Sequence, residues 1–216
     1  MSSDPPTRAL VAVYADESCL GNGREGSNPG GAAGLIQIFS SGQARPLERD
    51  YWLSEPATTN NRMALRSAIE AFRILSARKE SQRSRVLFTS DSTYLVHGMT
   101  EWMAGWISRG WRRRTGTLEN IALWQELHAA ANAHEHSWRW VKGHAVHVQN
   151  SYADYLATRA ARDQTSSSGA VESGFEAWLA AERARGRHPG DPDGAPDPSR
   201  FRPGCSARAN IAPSLF

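Results

Sequence analysis

The chain has 216 residues, of which 40% are hydrophobic and 22% are charged, as is usual for a globular protein. The longest apolar run, residues 9–15, is too short to cross a bilayer, and no charged-then-apolar signal peptide opens the chain. We therefore expect a cytoplasmic protein with no membrane partner, and we also expect a monomer. The two cysteines, Cys19 and Cys205, lie in dissimilar regions and indicate neither a disulfide framework nor a metal knuckle. The net charge is only +3, but the first 164 residues carry the whole excess.

Apolar periodicity and turn residues predict an α/β protein with a five-stranded mixed sheet flanked by helices. The predicted strands are residues 10–15, 32–39, 49–54, 85–90 and 137–141. The predicted helices are residues 59–79, 93–109, 118–133, 150–162 and 174–187. We expect residues 1–8 to be a frayed terminus and residues 9–164 to be the folded domain. Residues 165–216 are rich in Ser, Gly, Pro, Asp and Arg, so outside the short helix they are predicted to be disordered and dispensable.

The start of the first helix is a candidate phosphate site. Thr58 and Thr59 follow a turn that contains Pro56, and either can cap the helix with its hydroxyl. Asn60 and Asn61 add amide groups beside the backbone N–H groups of the first turn, which suit an anion. The alternative is an ordinary N-cap followed by polar surface residues.

Three aspartates are candidate metal ligands. Asp16 and Asp91 each follow a buried predicted strand, and Asp154 lies near the start of the last helix of the domain. Converging carboxylates repel one another unless a cation neutralises them, and hard oxygen ligands favour Mg²⁺ or Mn²⁺. The alternative is that each acid is a helix cap or a surface residue.

Several ordered motifs between Leu10 and Ala161 resemble those of type 1 ribonuclease H, the family that cuts the RNA strand of RNA–DNA hybrids. They are Tyr14-Ala15-Asp16-Glu17-Ser18-Cys19-Leu20-Gly21-Asn22, Pro29-Gly30-Gly31, Thr58-Thr59-Asn60-Asn61-Arg62-Met63, Thr89-Ser90-Asp91-Ser92, Trp140-Val141-Lys142-Gly143-His144-Ala145 and Asp154-Tyr155-Leu156-Ala157. The resemblance implies a ribonuclease H-like fold and a metal-dependent endonuclease that acts with two Mg²⁺ or Mn²⁺ ions.

The resemblance also implies a role for each matched residue. Asp16, Asp91 and Asp154 would bind the metals, and His144 would move protons or help product leave. Four residues would line a phosphate pocket and contact both strands: Asn22, Thr59, Asn60 and Asn61. A basic protrusion, here called the handle, would grip the hybrid through Arg109, Trp111, Arg112, Arg113 and Arg114. We expect Trp102 and Trp106 to belong mainly to the core.

One position departs from the family pattern. The family has a fourth carboxylate, a glutamate directly after the methionine of the helix motif, and here that residue is Ala64. Glu17 stands where the family has glycine, which suggests a carboxylate relocated in space. Strict strand alternation would point Glu17 away from Asp16, which counts against this reading unless the strand ends there. A site short of one acid and a substitution that traps substrate are the alternatives.

Two other functions are compatible with parts of the sequence. A hybrid-binding protein without catalysis would explain Ala64 but not the retained aspartates and His144. A junction resolvase or integrase core would share the fold and the acids, but it would not explain the helix motif or the handle.

Overall fold

A six-stranded mixed sheet forms the centre of the protein. The structure is a computed structural model, and it describes residues 9–21, 28–78, 83–143, 147–187 and 190–201. The strands are β1 (Leu10–Cys19), β2 (Gly30–Phe39), β3 (Leu47–Glu55), β4 (Arg85–Ser90), β5 (Glu135–Trp140) and β6 (Val171–Glu172). Their order across the sheet is β5-β4-β1-β2-β3-β6. β1, β4 and β5 run parallel to one another, and β2, β3 and β6 extend the sheet by antiparallel pairing. The α/β class and the five expected strands are confirmed, and β6 is an addition.

Helices cover both faces of this sheet. They are α1 (Asn60–Ala77), α2 (Thr93–His97), α3 (Met103–Ser108), α4 (Ile121–Ala131), α5 (Val148–Asp163) and α6 (Phe175–Ala184). A π-helical turn, Gly98–Trp102, joins α2 to α3, so this stretch is helical throughout, as its periodicity predicts. Among the described residues, no helix is long and apolar enough to cross a membrane.

The alternation of side chains along β1 decides which helix each residue faces. Val11, Val13 and Ala15 pack in one core cluster with α1, whereas Ala12 and Tyr14 pack in a second cluster with α5. Because strand side chains alternate between faces, residues 16 and 17 of β1 also lie on opposite faces. Residue 16 is on the α5 side of the sheet, and residue 17 is on the α1 side.

β1 is longer than its sequence predicts. The predicted strand ends at Ala15, but pairing with β2 continues through Cys19, which lies opposite Gly30. Asp16 pairs with Ala33 and Glu17 with Ala32. The polar residues therefore belong to the strand itself, because β2 supplies hydrogen-bond partners that local sequence does not reveal.

Residues 165–187 and 190–201, here called the C-terminal segment, have defined structure, whereas the sequence led us to expect disorder outside the helix at residues 174–187. Its strand β6 pairs with β3, and the predicted helix is present as α6. The anchor is the buried carboxylate of Asp50, which accepts hydrogen bonds from Tyr152 Oη at 2.6 Å, Ser173 Oγ at 2.7 Å and the Gly174 N–H at 2.9 Å. The polar composition concealed this docking, because the buried apolar residues of the segment, Phe175 and Leu179, stand among many polar ones.

Candidate active site

Three carboxylates converge where β1 and β4 lie side by side. Ligand oxygens of Asp16, Glu17 and Asp91 all lie within 4.8 Å of one another, and this group is called the acid cluster. Ala15 of β1 pairs in register with Ser90, the last residue of β4, so Asp16 and Asp91 follow directly on neighbouring parallel strands. The sheet topology therefore brings together residues that are 75 positions apart in the chain.

Glu17 joins this cluster although β1 continues past it. By strand alternation its side chain leaves β1 on the α1 face, as those of Ala15 and Cys19 do, yet its carboxylate reaches the other two acids. The Glu17 N–H donates a 2.7 Å hydrogen bond to Asp16 Oδ1, which ties the two residues locally. Ala64 of α1 is 1% exposed and packs in the same core cluster as Ala15. Glu17 and Ala64 thus lie on the same side of the sheet.

The acids strongly perturb one another. Burial raises the pKa of Asp16 to about 8, and the charges of Asp91 and Asp154 add to this rise. Burial likewise raises the pKa of Glu17 well above its usual value, followed by the charges of Asp16 and Asp91, whereas a hydrogen bond with Ser92 opposes the rise. Such a cluster holds protons or a cation in preference to several bare negative charges. An all-oxygen donor set of this kind fits Mg²⁺ or Mn²⁺.

Asp154 lies near the acid cluster but outside it, whereas Asp91 is a member of the cluster. Asp154 lies on α5, partly buried and outside the 4.8 Å group, but its charge is close enough to raise the pKa of Asp16. Asp91 lies against the loop after β5, where a Cβ added to Gly143 would be 2.3 Å from Asp91 Oδ2. The Trp140 Nε1–H also donates to the Asp91 carbonyl at 2.9 Å. Any side chain at position 143 would therefore displace a cluster carboxylate.

Asn150 is a site residue that the sequence reasoning missed. It is 4% exposed, and its Nδ2 donates a 2.9 Å hydrogen bond to Asp16 Oδ2, which opposes the rise in the pKa of Asp16. Its Oδ1 is buried and has no hydrogen-bond partner among the described residues. The available signal was its spacing, because Asn150 lies one helical turn before Asp154 on the same face of α5.

The start of α1 has the features expected of a polar pocket. Thr59 caps the helix by accepting a hydrogen bond from the Arg62 N–H at 3.3 Å. Within the described parts of the chain, Thr58 Oγ1 and Asn60 Oδ1 are buried without a hydrogen-bond partner. Asn61 is partly buried in the first turn. Asn22 and His144, the other two residues predicted at or near these sites, lie outside the described residues.

The handle contains a groove of about 530 Å³ that is lined by aromatic and charged side chains. The aromatic residues are Tyr94, Trp102 and Trp106, the basic ones are Arg109, Arg113 and Arg114, and the acidic ones are Glu101 and Glu119. Trp106 is 6% exposed, as expected of a core residue, whereas Trp102 is 39% exposed and the prediction that it is mainly core is wrong. Trp111 packs edge-on against His128 and does not line the groove. Arg112 is exposed, and its carbonyl accepts a hydrogen bond from Arg109 Nε at 3.2 Å.

Comparisons with known proteins agree on one family. The family model for RNase H matches residues 8–162. The chain is 40% identical to the ribonuclease H of Alcanivorax borkumensis over 150 residues, which cover 69% of this chain and 89% of that protein. It is also 40% identical to the ribonuclease H of Hahella chejuensis over 161 residues, which cover 74% and 98% respectively. Among solved structures, LC9-RNase H1, described as a type 1 RNase H with the type 2 active-site motif, is 53% identical with a TM-score of 0.84. That match covers 98% of this chain and all of LC9-RNase H1.

Proposed function

The chain belongs to the ribonuclease H family and is an endoribonuclease, and we propose that it cleaves the RNA strand of RNA–DNA hybrids at the acid cluster. The observation that carries this proposal is the convergence of the Glu17 carboxylate with Asp16 and Asp91. Glu17 gives the cluster a third carboxylate, although the helix position where the family has its glutamate is Ala64 here. We further propose that the enzyme acts as a monomer in the cytoplasm.

Relocation of the fourth carboxylate from α1 to β1 accounts for two departures at once. The methyl group of Ala64 cannot bind a metal, and Glu17 approaches the other acids from the same side of the sheet. The resemblance to LC9-RNase H1 supports this interpretation, because that protein is itself described as a type 1 RNase H with the type 2 active-site motif. Asp16, Glu17, Asp91 and Asp154 would then be the four acids of the site.

In this proposal the four acids would hold two Mg²⁺ or Mn²⁺ ions. Bound ions of this kind stabilise the attacking water and the leaving oxygen of a phosphodiester. Because its pKa is raised, the carboxyl group of Asp16 would release a proton when a cation binds, and this release could be measured. Asn150 holds Asp16 by its Nδ2–H, so that one oxygen keeps a fixed direction. By the family resemblance, His144 would move protons or aid product release, and cleavage would leave 3′-hydroxyl and 5′-phosphate ends.

Two surfaces would hold the hybrid. The hydroxyl and amide groups of Thr59, Asn60 and Asn61 would contact the strands beside the helix N-terminus, where Asn22 would join them. The handle groove would hold phosphates through Arg109, Arg113 and Arg114, with Trp102 as an exposed aromatic face. Contact with a 2′-hydroxyl is what would distinguish RNA from DNA. Arg112 and Trp111 would support this surface from outside the groove.

The direct test is incubation of the protein with an end-labelled RNA–DNA hybrid and Mg²⁺ or Mn²⁺, beside a DNA duplex of the same sequence. We expect cleavage of the RNA strand only. Asp91→Asn should abolish cleavage and leave hybrid binding largely intact, because a metal ligand is removed while the strand contacts remain. A second candidate is a non-catalytic hybrid-binding protein, which Ala64 favours. Binding of the hybrid without cleavage by the unaltered protein would support that candidate. Normal turnover by Asp91→Asn would refute the site.

A further inference from the structure

The C-terminal segment returns to the active-site end of the sheet at Asp193. Asp193 Oδ2 accepts hydrogen bonds from Arg139 Nη2 at 2.5 Å and from His147 Nε2 at 3.2 Å. Its main chain forms a reciprocal pair with Gln149, whose Nε2 donates to the Asp193 carbonyl at 3.0 Å and whose Oε1 accepts from the Asp193 N–H at 3.2 Å. Gln149 is fully buried. One residue of the segment thus contacts both β5 and the start of α5.

A continuous set of hydrogen bonds leads from this contact to the acid cluster. His147 is the N-cap of α5, and its Nδ1 accepts from the Asn150 N–H at 3.3 Å. Because Nδ1 is an acceptor, the proton of the neutral ring lies on Nε2 and is donated to Asp193. Asn150 in turn donates from its side chain to Asp16 Oδ2 at 2.9 Å. The orientation of His147 therefore helps to set the first turn of α5, and that turn orients Asp16.

Aromatic contacts brace the same region from β1. The ring of Tyr14 lies 5.4 Å from the ring of His147, and the guanidinium of Arg139 lies 5.9 Å from the centre of the Tyr14 ring. Tyr14 is on the same face of β1 as Asp16, two residues earlier. Arg139 Nη2 also lies 3.1 Å from His147 Nε2, so the carboxylate of Asp193 neutralises an arginine that contacts His147. Asp193 thereby holds Arg139 and His147 against the strand that carries Asp16.

We propose that Asp193 is a positioning residue for the carboxylate of Asp16, acting through His147 and Asn150. This inference rests on the proposed function, in which Asp16 is a metal ligand. Asp193 lies beyond residues 8–162, the part matched by the family model, so this support comes from outside the family domain. The segment does more than stabilise the fold: it helps to fix the geometry of the site.

The test compares Asp193→Ala with Ser173→Ala, which serves as a matched control. Ser173 anchors the same segment to Asp50 on β3, three strands away from β4 and remote from the acid cluster. Removing an outer-shell partner of a ligand typically costs ten- to a hundredfold, so one step further out we expect Asp193→Ala to lower kcat by about three- to tenfold with KM unchanged. Asp193→Asn should recover part of this activity, because its amide oxygen still accepts from His147. Ser173→Ala should leave kcat unchanged, even if urea unfolding shows that it is equally destabilised.

A second measurement does not depend on cleavage. Titration calorimetry with Mn²⁺ in the absence of hybrid should show weaker binding by Asp193→Ala, by about three- to tenfold, and unchanged binding by Ser173→Ala. In a His147→Ala background, the further change Asp193→Ala should have little effect on Mn²⁺ binding, because the connection is already broken. Equal Mn²⁺ affinity in Asp193→Ala and the unaltered protein, or additive effects of the two substitutions, would overturn the inference. If the unaltered protein binds Mn²⁺ but does not cleave the hybrid, the proposed function fails while the positioning role is still decided by calorimetry.

Discussion

Phe175→Ala tests whether the C-terminal segment is part of the fold. Phe175 is 1% exposed and lies in a core cluster with Tyr152 and Leu179. Its ring is 5.3 Å from that of Tyr152 and 6.3 Å from that of Trp178. Truncating a fully buried phenylalanine leaves a cavity and typically costs about 3–5 kcal/mol. We expect the free energy of unfolding to fall by that amount.

The measurement is equilibrium unfolding in urea, followed by tryptophan fluorescence, with Glu176→Gln as the control. Glu176 is exposed on the same helix, so its substitution should change stability by less than about 0.5 kcal/mol. A disordered segment would give both variants the same small effect. A destabilisation below about 1 kcal/mol for Phe175→Ala would therefore refute the docking of α6.

Two further predictions concern charge. Replacing Arg113 and Arg114 with Ala should weaken hybrid binding for all sequences. The slope of log affinity against log salt should fall in magnitude by somewhat under one unit for each phosphate that is no longer neutralised. An unchanged slope in a fluorescence anisotropy titration would show that the groove does not touch the hybrid. The second prediction concerns the metal-free protein. Because the pKa of Asp16 is raised, the folded state binds more protons than the unfolded state between about pH 4 and pH 8. The free energy of unfolding should therefore fall as the pH rises through this window. Urea unfolding in a chelator should show this fall, and Asp16→Asn should reduce it; a rise in stability over the same range would contradict the assignment.

Local sequence patterns predicted most of the fold. The apolar runs of β1, β2 and β4 and the helical stripe of α1 are visible without tertiary information, because burial of one or both faces fixes their periodicity. The C-terminal end of β1 and the existence of β6 were not predictable in this way. β1 continues through Glu17 because β2 continues beside it, and the two residues of β6 form a strand only because the edge of β3 accepts them.

The site residues that belong to sequence motifs were predictable, whereas those whose role depends on the direction of a side chain were not. Asp16 and Asp91 follow from strand order and from the family resemblance. Whether the Glu17 carboxylate could turn toward Asp16 depended on side-chain geometry that alternation alone argued against. Asp193 was missed because it lies in a polar segment without a motif, and its role depends on where the chain returns. Trp102 was misassigned because helical periodicity does not show which parts of an apolar stripe a neighbouring helix leaves uncovered.

The central claim is that Glu17 replaces the family glutamate missing at position 64. The most direct measurement is the cleavage rate of Glu17→Gln, Ala64→Glu, their combination and the unaltered protein, analysed as a double-mutant cycle. Relocation predicts that Glu17→Gln lowers the rate by roughly ten- to a hundredfold and that Ala64→Glu restores much of it, because one carboxylate again faces the metal site. In the otherwise unaltered protein, Ala64→Glu should not raise the rate, since it adds a repulsive fifth acid. A small effect of Glu17→Gln, a steep gain from Ala64→Glu alone and additivity between the two would contradict the account.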